Sequence, residues 1–227
     1  MVAAPAEARA ILAGFGSNAS IPDEWNSISL GASFDLLLSG VGKANAAGAT
    51  SLAIAHTAPS RVLNLGICGA LPHAEPVKIG ESVLATRCLL ADEGIETPSG
   101  WIPLANAGFP GAIDADSISP DATFNQLLMP LADRAGVIAT VSSCSGSDAR
   151  AEEISRRCSL EGLAEAMEGA AVGLASARQG TPFAELRVVS NRTGNRESQG
   201  WDLAGAIAGL QSIAAQLSAL VGTRSSI

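Results

Sequence analysis

The chain has 227 residues, enough for one α/β domain with a substantial buried core. Its formal net charge is −8 and its 14 Lys and Arg are scattered, so no basic cluster could neutralise a run of phosphates and nucleic acid is not an expected partner. Hydrophobic residues make up 47%, aromatics only 4%, and tyrosine is absent; the core is expected to be Ala, Leu, Val and Ile, with 24 glycines permitting close contacts between elements.

In chain order, Met1-Val-Ala-Ala-Pro5 reads as a first strand shortened to a few residues. Strand-like runs follow at Phe34–Ser39, Val62–Ile67, Glu81–Leu90, Gly136–Ser143 and Leu186–Ser190. Helical stretches lie between them, at Ala44–His56, Asp121–Ala135, Ala149–Cys158, Leu160–Gln179 and Leu203–Val221. The Leu160–Gln179 helix rests on Leu160, Leu163, Met167, Ala170 and Leu174 at helical spacing. It would carry Glu168 among small residues, with Glu161 and Glu165 as solvated charges. Alternating strands and helices predict a three-layer α/β/α sandwich around a central mixed sheet, a single domain over residues 1–227. Ligands of such sheets collect beyond the carboxyl ends of strands, where Gly40, Gly66, Ser142 and Asn191 fall.

Cys68, Cys88, Cys144 and Cys158 lie far apart, and His56 and His73 are the only imidazoles. Neither metal nor cofactor is therefore expected, and reduced, mostly buried thiols in a cytoplasmic protein are. The N-terminus lacks the basic and apolar regions of a leader, and no segment offers ~18–20 continuous apolar residues, so no membrane span is predicted.

Several short motifs stand at strand ends. Ser39-Gly-Val-Gly-Lys-Ala-Asn-Ala46 is a glycine turn, readable as a tight βα connection or as part of a site; P-loop spacing is absent. Asn64-Leu-Gly-Ile-Cys-Gly-Ala-Leu71 ends a strand on closely spaced glycines. Thr140-Val-Ser-Ser-Cys-Ser-Gly-Ser147 is a loop of small hydroxyl residues without the Gly-x-Ser-x-Gly spacing of a nucleophile elbow. In Glu165-Ala-Met-Glu-Gly-Ala-Ala-Val172, Glu168 reads as a carboxylate placed among small residues to grip a ligand, or else as a helix-surface charge, and Met167 as a ligand contact or as core filler. Glu185-Leu-Arg-Val-Val-Ser-Asn191 is a buried strand ending in an amide. Ser190-Asn-Arg-Thr-Gly-Asn-Arg-Glu197 and Gln199-Gly-Trp-Asp202 follow.

Together these motifs resemble the nucleoside phosphorylase and nucleosidase superfamily over essentially the whole chain. The last two, with Ala4-Pro-Ala-Glu-Ala-Arg-Ala10, resemble its futalosine hydrolases, which serve an alternative route to menaquinone; Thr193 and Glu197 stand where that pattern has Val and Asp. The resemblance implies that Met167 and Glu168 clamp a ribose, that Gly66, Cys68 and Gly69 shape the pocket, and that Ser147 and Ser190 reach the purine. It implies that Trp201 closes over the 5′ side of the ribose. It makes Arg196 a candidate for the carboxylate of a carboxybenzoyl substituent, or else the partner of Glu197 or Asp202.

Purine nucleoside phosphorylases carry Arg-x-Gly-Ser-Cys-Gly where this chain has Asn64 and Ile67, and they grip phosphate with the arginine and serine. A dianionic phosphate needs a cation or several donors, so water is the expected nucleophile unless Arg87 or Lys43 binds the anion. Asn191 stands where adenine-directed nucleosidases have Asp. Its carbonyl can accept from a protonated N7 and its NH2 can donate to a 6-keto oxygen, which selects hypoxanthine or guanine. Nucleosidases orient water with an N-terminal glutamate, which falls at Glu7 or one residue later at Ala8. The expectation is a homo-oligomeric futalosine-type nucleosidase that takes a small purine nucleoside. The alternatives are a purine nucleoside phosphorylase or general inosine nucleosidase, and a non-catalytic nucleoside-binding protein.

Overall fold

The structure, a computed structural model, describes residues 1–31, 33–73, 75–108 and 116–222. Its centre is a mixed six-stranded sheet of β3 (Val62–Ala70), β4 (Ser82–Leu90), β7 (Ser117–Ile118), β8 (Arg134–Thr140), β9 (Gly162–Ala166) and β10 (Phe183–Arg192), in the order β10-β3-β9-β8-β4-β7. β10 runs parallel to β3, and β8 runs parallel to both β4 and β9. β4 also pairs antiparallel with β10 through Leu186↔Leu84, so five strands return on themselves and close the sheet. Two small hairpins stand apart from it, β1 (Ser27–Ser29) with β2 (Asp35–Leu37) and β5 (Gly94–Thr97) with β6 (Gly100–Pro103). The expected first strand is reduced to a bridge between Val2 and Leu38, although Met1 still bonds β3 on both sides, donating to Leu63 and accepting from Leu65.

Helices cover the sheet. α1 (Pro5–Gly14) packs on α6 (Leu203–Gly222), and α2 (Lys43–Thr57) packs on α5 (Gly169–Arg178). The first pair closes a core in which Ile11 and Leu12 meet Leu186, Val188, Leu210 and Ile213. The second covers Val83, Ile138, Ala170 and Val172. α4 (Asp148–Arg157) seals a smaller cluster with Ile154 and Cys158 against Val137 and Ala139. Leu203–Leu220 of α6 is long and apolar enough on average to cross a membrane, but Ala206, Leu210, Ile213, Ala214 and Leu217 make one face of it part of the core.

Two predicted helices are corrected. The stretch Leu160–Gln179 is not one helix but a turn, a strand and a helix. Ser159 and Leu160 adopt positive φ (+56° and +62°) and break the chain after α4. Gly162–Ala166 then enters the sheet, and α5 begins only at Gly169. All five residues of β9 are buried, and a short apolar run buried on both faces cannot be told from a buried helix by periodicity. Asp121–Ala135 likewise divides. Asp121 caps α3 (Ala122–Leu128) by accepting from the Phe124 amide at 2.7 Å, Pro130 sits in a 3-10 turn, and β8 starts at Arg134.

Candidate active site

The carboxyl ends of β3 and β9 cross where Gly69 pairs with Glu165, and β10 ends beside them with Asn191 opposite Gly69. A cavity of about 390 Å³ opens there, walled also by the start of α1, the loop after β8 and the segment after β10. It gathers Glu7, Cys68, Gly69, Met167 and Glu168 with Ser190, Asn191, Arg196 and Trp201. Residues far apart in the sequence thus meet because strand ends converge, at the carboxyl ends where α/β sheets gather their ligands.

Glu7 reaches this cavity because Pro5 starts α1 and the glutamate, two residues on, folds back over the helix end. Its Oε2 accepts from the Ala3 and Ala4 amides, both at 3.0 Å, and its Oε1 accepts from the Ile67 amide at 2.9 Å. Ala8, the alternative position, lies wholly in the core. Burial pushes the Glu7 carboxyl above its ordinary range; the Arg187 cation opposes that shift without cancelling it.

Glu168 occupies the junction between β9 and α5. Its Oε1 accepts from the Gly42 amide at 3.0 Å and its Oε2 from Arg187 Nη2 at 3.1 Å. Gly42 has φ +92° at the amino end of α2, a conformation that favours glycine, so the glycine turn serves to aim one N–H at a carboxylate. Two acceptor positions on Glu168 remain for hydroxyl groups.

Arg187 was not singled out in the sequence, yet it organises this wall. Fully enclosed on β10, it donates from Nε to Glu185 Oε1 at 2.8 Å, from Nη2 to Glu168, and from Nη1 to the Ile67 carbonyl at 3.3 Å. Burial works against its charge, but Glu185, Glu168 and Glu7 outweigh burial and raise the guanidinium above its ordinary value. Glycines make the cluster possible. A Cβ on Gly66 would collide with Arg187 and Glu7, and one on Gly169 would collide with the Glu185 carboxylate. Gly66 therefore shapes the pocket from behind rather than lining it. The signal was present in the sequence: Glu185 and Arg187, two apart in an apolar strand, must share a face.

Asn64 and Ile67, at the positions where phosphorylases hold their anion, do other things here. Asn64 is buried in β3 and donates to Glu185 Oε1 at 3.3 Å, and the Ile67 amide is taken by Glu7. The other cations proposed for phosphate do not line the cavity. Lys43 pairs with Asp92 and Glu93, and Arg87 pairs with Glu161 at 3.5 Å.

On the base side, a register shift in the β10–β3 ladder at Ser190 re-aims Asn191 towards the cavity. Asn191 Nδ2 donates to the Arg192 carbonyl at 2.7 Å, and Ser190 Oγ lies 2.8 Å from Asn191 Oδ1 and 3.1 Å from the Cys68 carbonyl. One amide hydrogen and one carbonyl lone pair of Asn191 remain for a ligand. Ser147 is a correction: its hydroxyl caps α4, accepting from the Arg150 amide at 3.3 Å, and the loop meets the cavity through Cys144, Ser145 and Gly146 instead. Glu165 is a second correction. It is buried, not solvated, and accepts from the Ser145 amide at 2.7 Å and the Ser145 hydroxyl at 2.5 Å. Burial raises the Glu165 carboxyl above its usual range against those two bonds.

At the mouth, Arg196 stacks on the Trp201 ring with 5.1 Å between guanidinium carbon and ring centroid. It forms no ion pair with Glu197 or Asp202 among the described residues. Asp202 instead caps α6, accepting from the Gly205 amide at 2.8 Å.

A family model described as the Phosphorylase superfamily matches residues 34–223. A protein named futalosine hydrolase from Acidothermus cellulolyticus is 38% identical over 224 residues, covering 96% of this chain and 89% of the relative. One of the same name from Streptomyces coelicolor is 34% identical, covering 84% and 77% respectively. A solved structure of a futalosine hydrolase mutant from Helicobacter pylori shares the fold, with a TM-score of 0.75 at 22% identity over 98% of this chain and 96% of that one. The chain belongs to the phosphorylase superfamily.

Proposed function

We propose that this protein hydrolyses the N-ribosidic bond of futalosine, releasing hypoxanthine and dehypoxanthine futalosine in the futalosine route to menaquinone. It is an N-glycosyl hydrolase, and the relatives named futalosine hydrolase support the substrate.

One observation carries the hydrolytic reading. Glu7, Glu168 and Glu185 surround the single guanidinium of Arg187 on the wall where phosphorylases seat their anion. A dianion brought there meets an excess of buried negative charge, while a ribosyl group turning cationic is stabilised by it. The steps then distribute over the site. Solvent supplies the N7 proton as the C–N bond breaks, and Asn191 accepts from that N7–H and donates to the 6-keto oxygen, easing departure of the base. Glu168 accepts from ribose hydroxyls as the ring gains positive charge. Glu7 holds water with its free lone pair and takes its proton as the water attacks the anomeric carbon. Met167 packs under the ribose, and Trp201 with Arg196 receives the aromatic, anionic 5′ substituent.

Homo-oligomerisation and a cytoplasmic setting belong to the same proposal. Val41, Trp201 and Leu203 form a half-exposed apolar rim beside the cavity that a second copy could cover, and all four cysteines are free thiols. The decisive experiment is incubation with futalosine in phosphate-free buffer. Release of hypoxanthine with free dehypoxanthine futalosine is expected. Release that requires phosphate would move the protein to phosphorolysis, and inosine turnover equal to futalosine turnover would make it a general nucleosidase.

A further inference from the structure

The loop after β10 contains a side chain for which the mechanism has no use. Gln199 is only 3% exposed, and its amide is almost fully engaged. Its Nε2 donates to the Ser145 carbonyl at 2.9 Å and to the Gly194 carbonyl at 2.8 Å, while its Oε1 accepts from the Trp201 indole Nε1 at 2.9 Å. These partners fix the sense of the amide. Reversal would set an oxygen against two carbonyls and an NH2 against an N–H donor. Gly200, between the two side chains, has φ +63°, the left-handed conformation that brings residues two apart onto one another.

Trp201 is 48% exposed, and its indole makes one hydrogen bond, the one to Gln199. The loops on either side of the mouth do not depend on Gln199 alone. Asp148 accepts from the Asn195 amide at 2.9 Å and from its side chain at 2.5 Å, and the Arg196 amide donates to the Gly146 carbonyl at 3.2 Å. Ser145 is held independently by Glu165. Losing the Gln199 amide therefore frees the indole more than it frees the loops.

We propose that Gln199 is a specificity-determining positioning residue that holds the Trp201 indole over the 5′ end of the cavity, ready to stack on an aromatic 5′ substituent. The proposal rests on the nucleosidase reading above. An aromatic ring held in its binding orientation loses less freedom when the substrate arrives, so the benefit appears in substrate affinity rather than in the chemical step.

The test compares Gln199→Leu, Trp201→Phe and the double variant on futalosine and on inosine, which has no aromatic 5′ group. Gln199→Leu is expected to raise KM for futalosine about tenfold, with kcat held within about threefold and inosine kinetics within about twofold. In the Trp201→Phe background the same change should alter futalosine kinetics by less than about twofold, because the indole it positions is gone. Equal losses on both substrates, or an undiminished effect without the indole, would overturn the proposal. Gln199→Met, of similar volume, replaces the leucine variant if that protein does not fold. A second arm needs no turnover: with Trp25 and Trp101 both changed to Phe, acrylamide quenching of Trp201 should rise when Gln199 is replaced, and unchanged quenching counts against the tether. Wild-type protein inert towards futalosine would sink the functional reading alone, leaving the quenching arm to decide on Gln199.

Discussion

The Arg187 guanidinium and the Glu7 carboxylate approach each other across the bare Cα of Gly66. A Cβ there would lie 2.7 Å from Glu7 Oε1 and closer still to Arg187 Nη1. Both atoms are tips of side chains that border the cavity, so they give way only by breaking hydrogen bonds, Glu7 with the Ile67 amide and Arg187 with the Ile67 carbonyl. Gly66→Ala should therefore cost about 1–3 kcal/mol of stability, as overpacking does, and lower turnover at least about tenfold by displacing both groups. Urea unfolding and single-turnover hypoxanthine release would measure the two effects; wild-type values in both would deny the close approach.

Arg187→Met would leave buried carboxylates without their cation. A loss of about 3–5 kcal/mol is expected at neutral pH, because an unpaired buried charge is worse than none. The sign of the pH dependence follows from Glu7. Burial already raises its carboxyl, and the variant lacks the cation that opposes this. The folded variant then binds a proton that the unfolded chain releases, so the loss shrinks as pH falls and is greatest above the raised value. Denaturation midpoints measured at several pH values decide this, and a loss independent of pH would refute it.

Glu7→Gln should reduce kcat about 100- to 10,000-fold with KM little changed, the scale of a lost general base. Wild-type kcat/KM should fall as pH drops through a limb above the ordinary carboxylate value of about 4.3, because burial raises this carboxyl and only its ionised form accepts the water's proton. The glutamine variant should lose that limb. A limb that persists in Glu7→Gln would transfer the role to another acid, with Glu165 the next group raised by burial.

Asn191→Asp should shift preference from 6-keto towards 6-amino purine nucleosides. Each mismatched partner costs about 1–3 kcal/mol, so the ratio of kcat/KM values should change by about 5- to 150-fold. Competition between inosine and adenosine gives the ratio directly. An unchanged ratio would remove Asn191 from base recognition.

Much of this was legible in the chain. The strands at Val62, Glu81 and Leu186 and the helices beginning near Ala44, Ala149 and Leu203 lie within a few residues of their expected places. Glu7, Glu168 and Asn191, expected from short motifs, do meet in one cavity. β9 was missed because a five-residue strand of Gly, Leu, Ala and Glu, buried on both faces, carries no alternation to mark it. That miss also misplaced Glu165, which looked solvated on a helix and is buried on a strand.

What the sequence determined by itself was local: which runs are apolar, where glycine permits a left-handed turn, and which small motifs sit at strand ends. What the tertiary structure decided was partnership. Asn64 and Glu185 are 121 residues apart, and only the parallel register of β3 against β10 joins them. Burial then sets their chemistry. A charge removed from water must take whatever partner the fold supplies, and no reading of neighbours along the chain can name that partner.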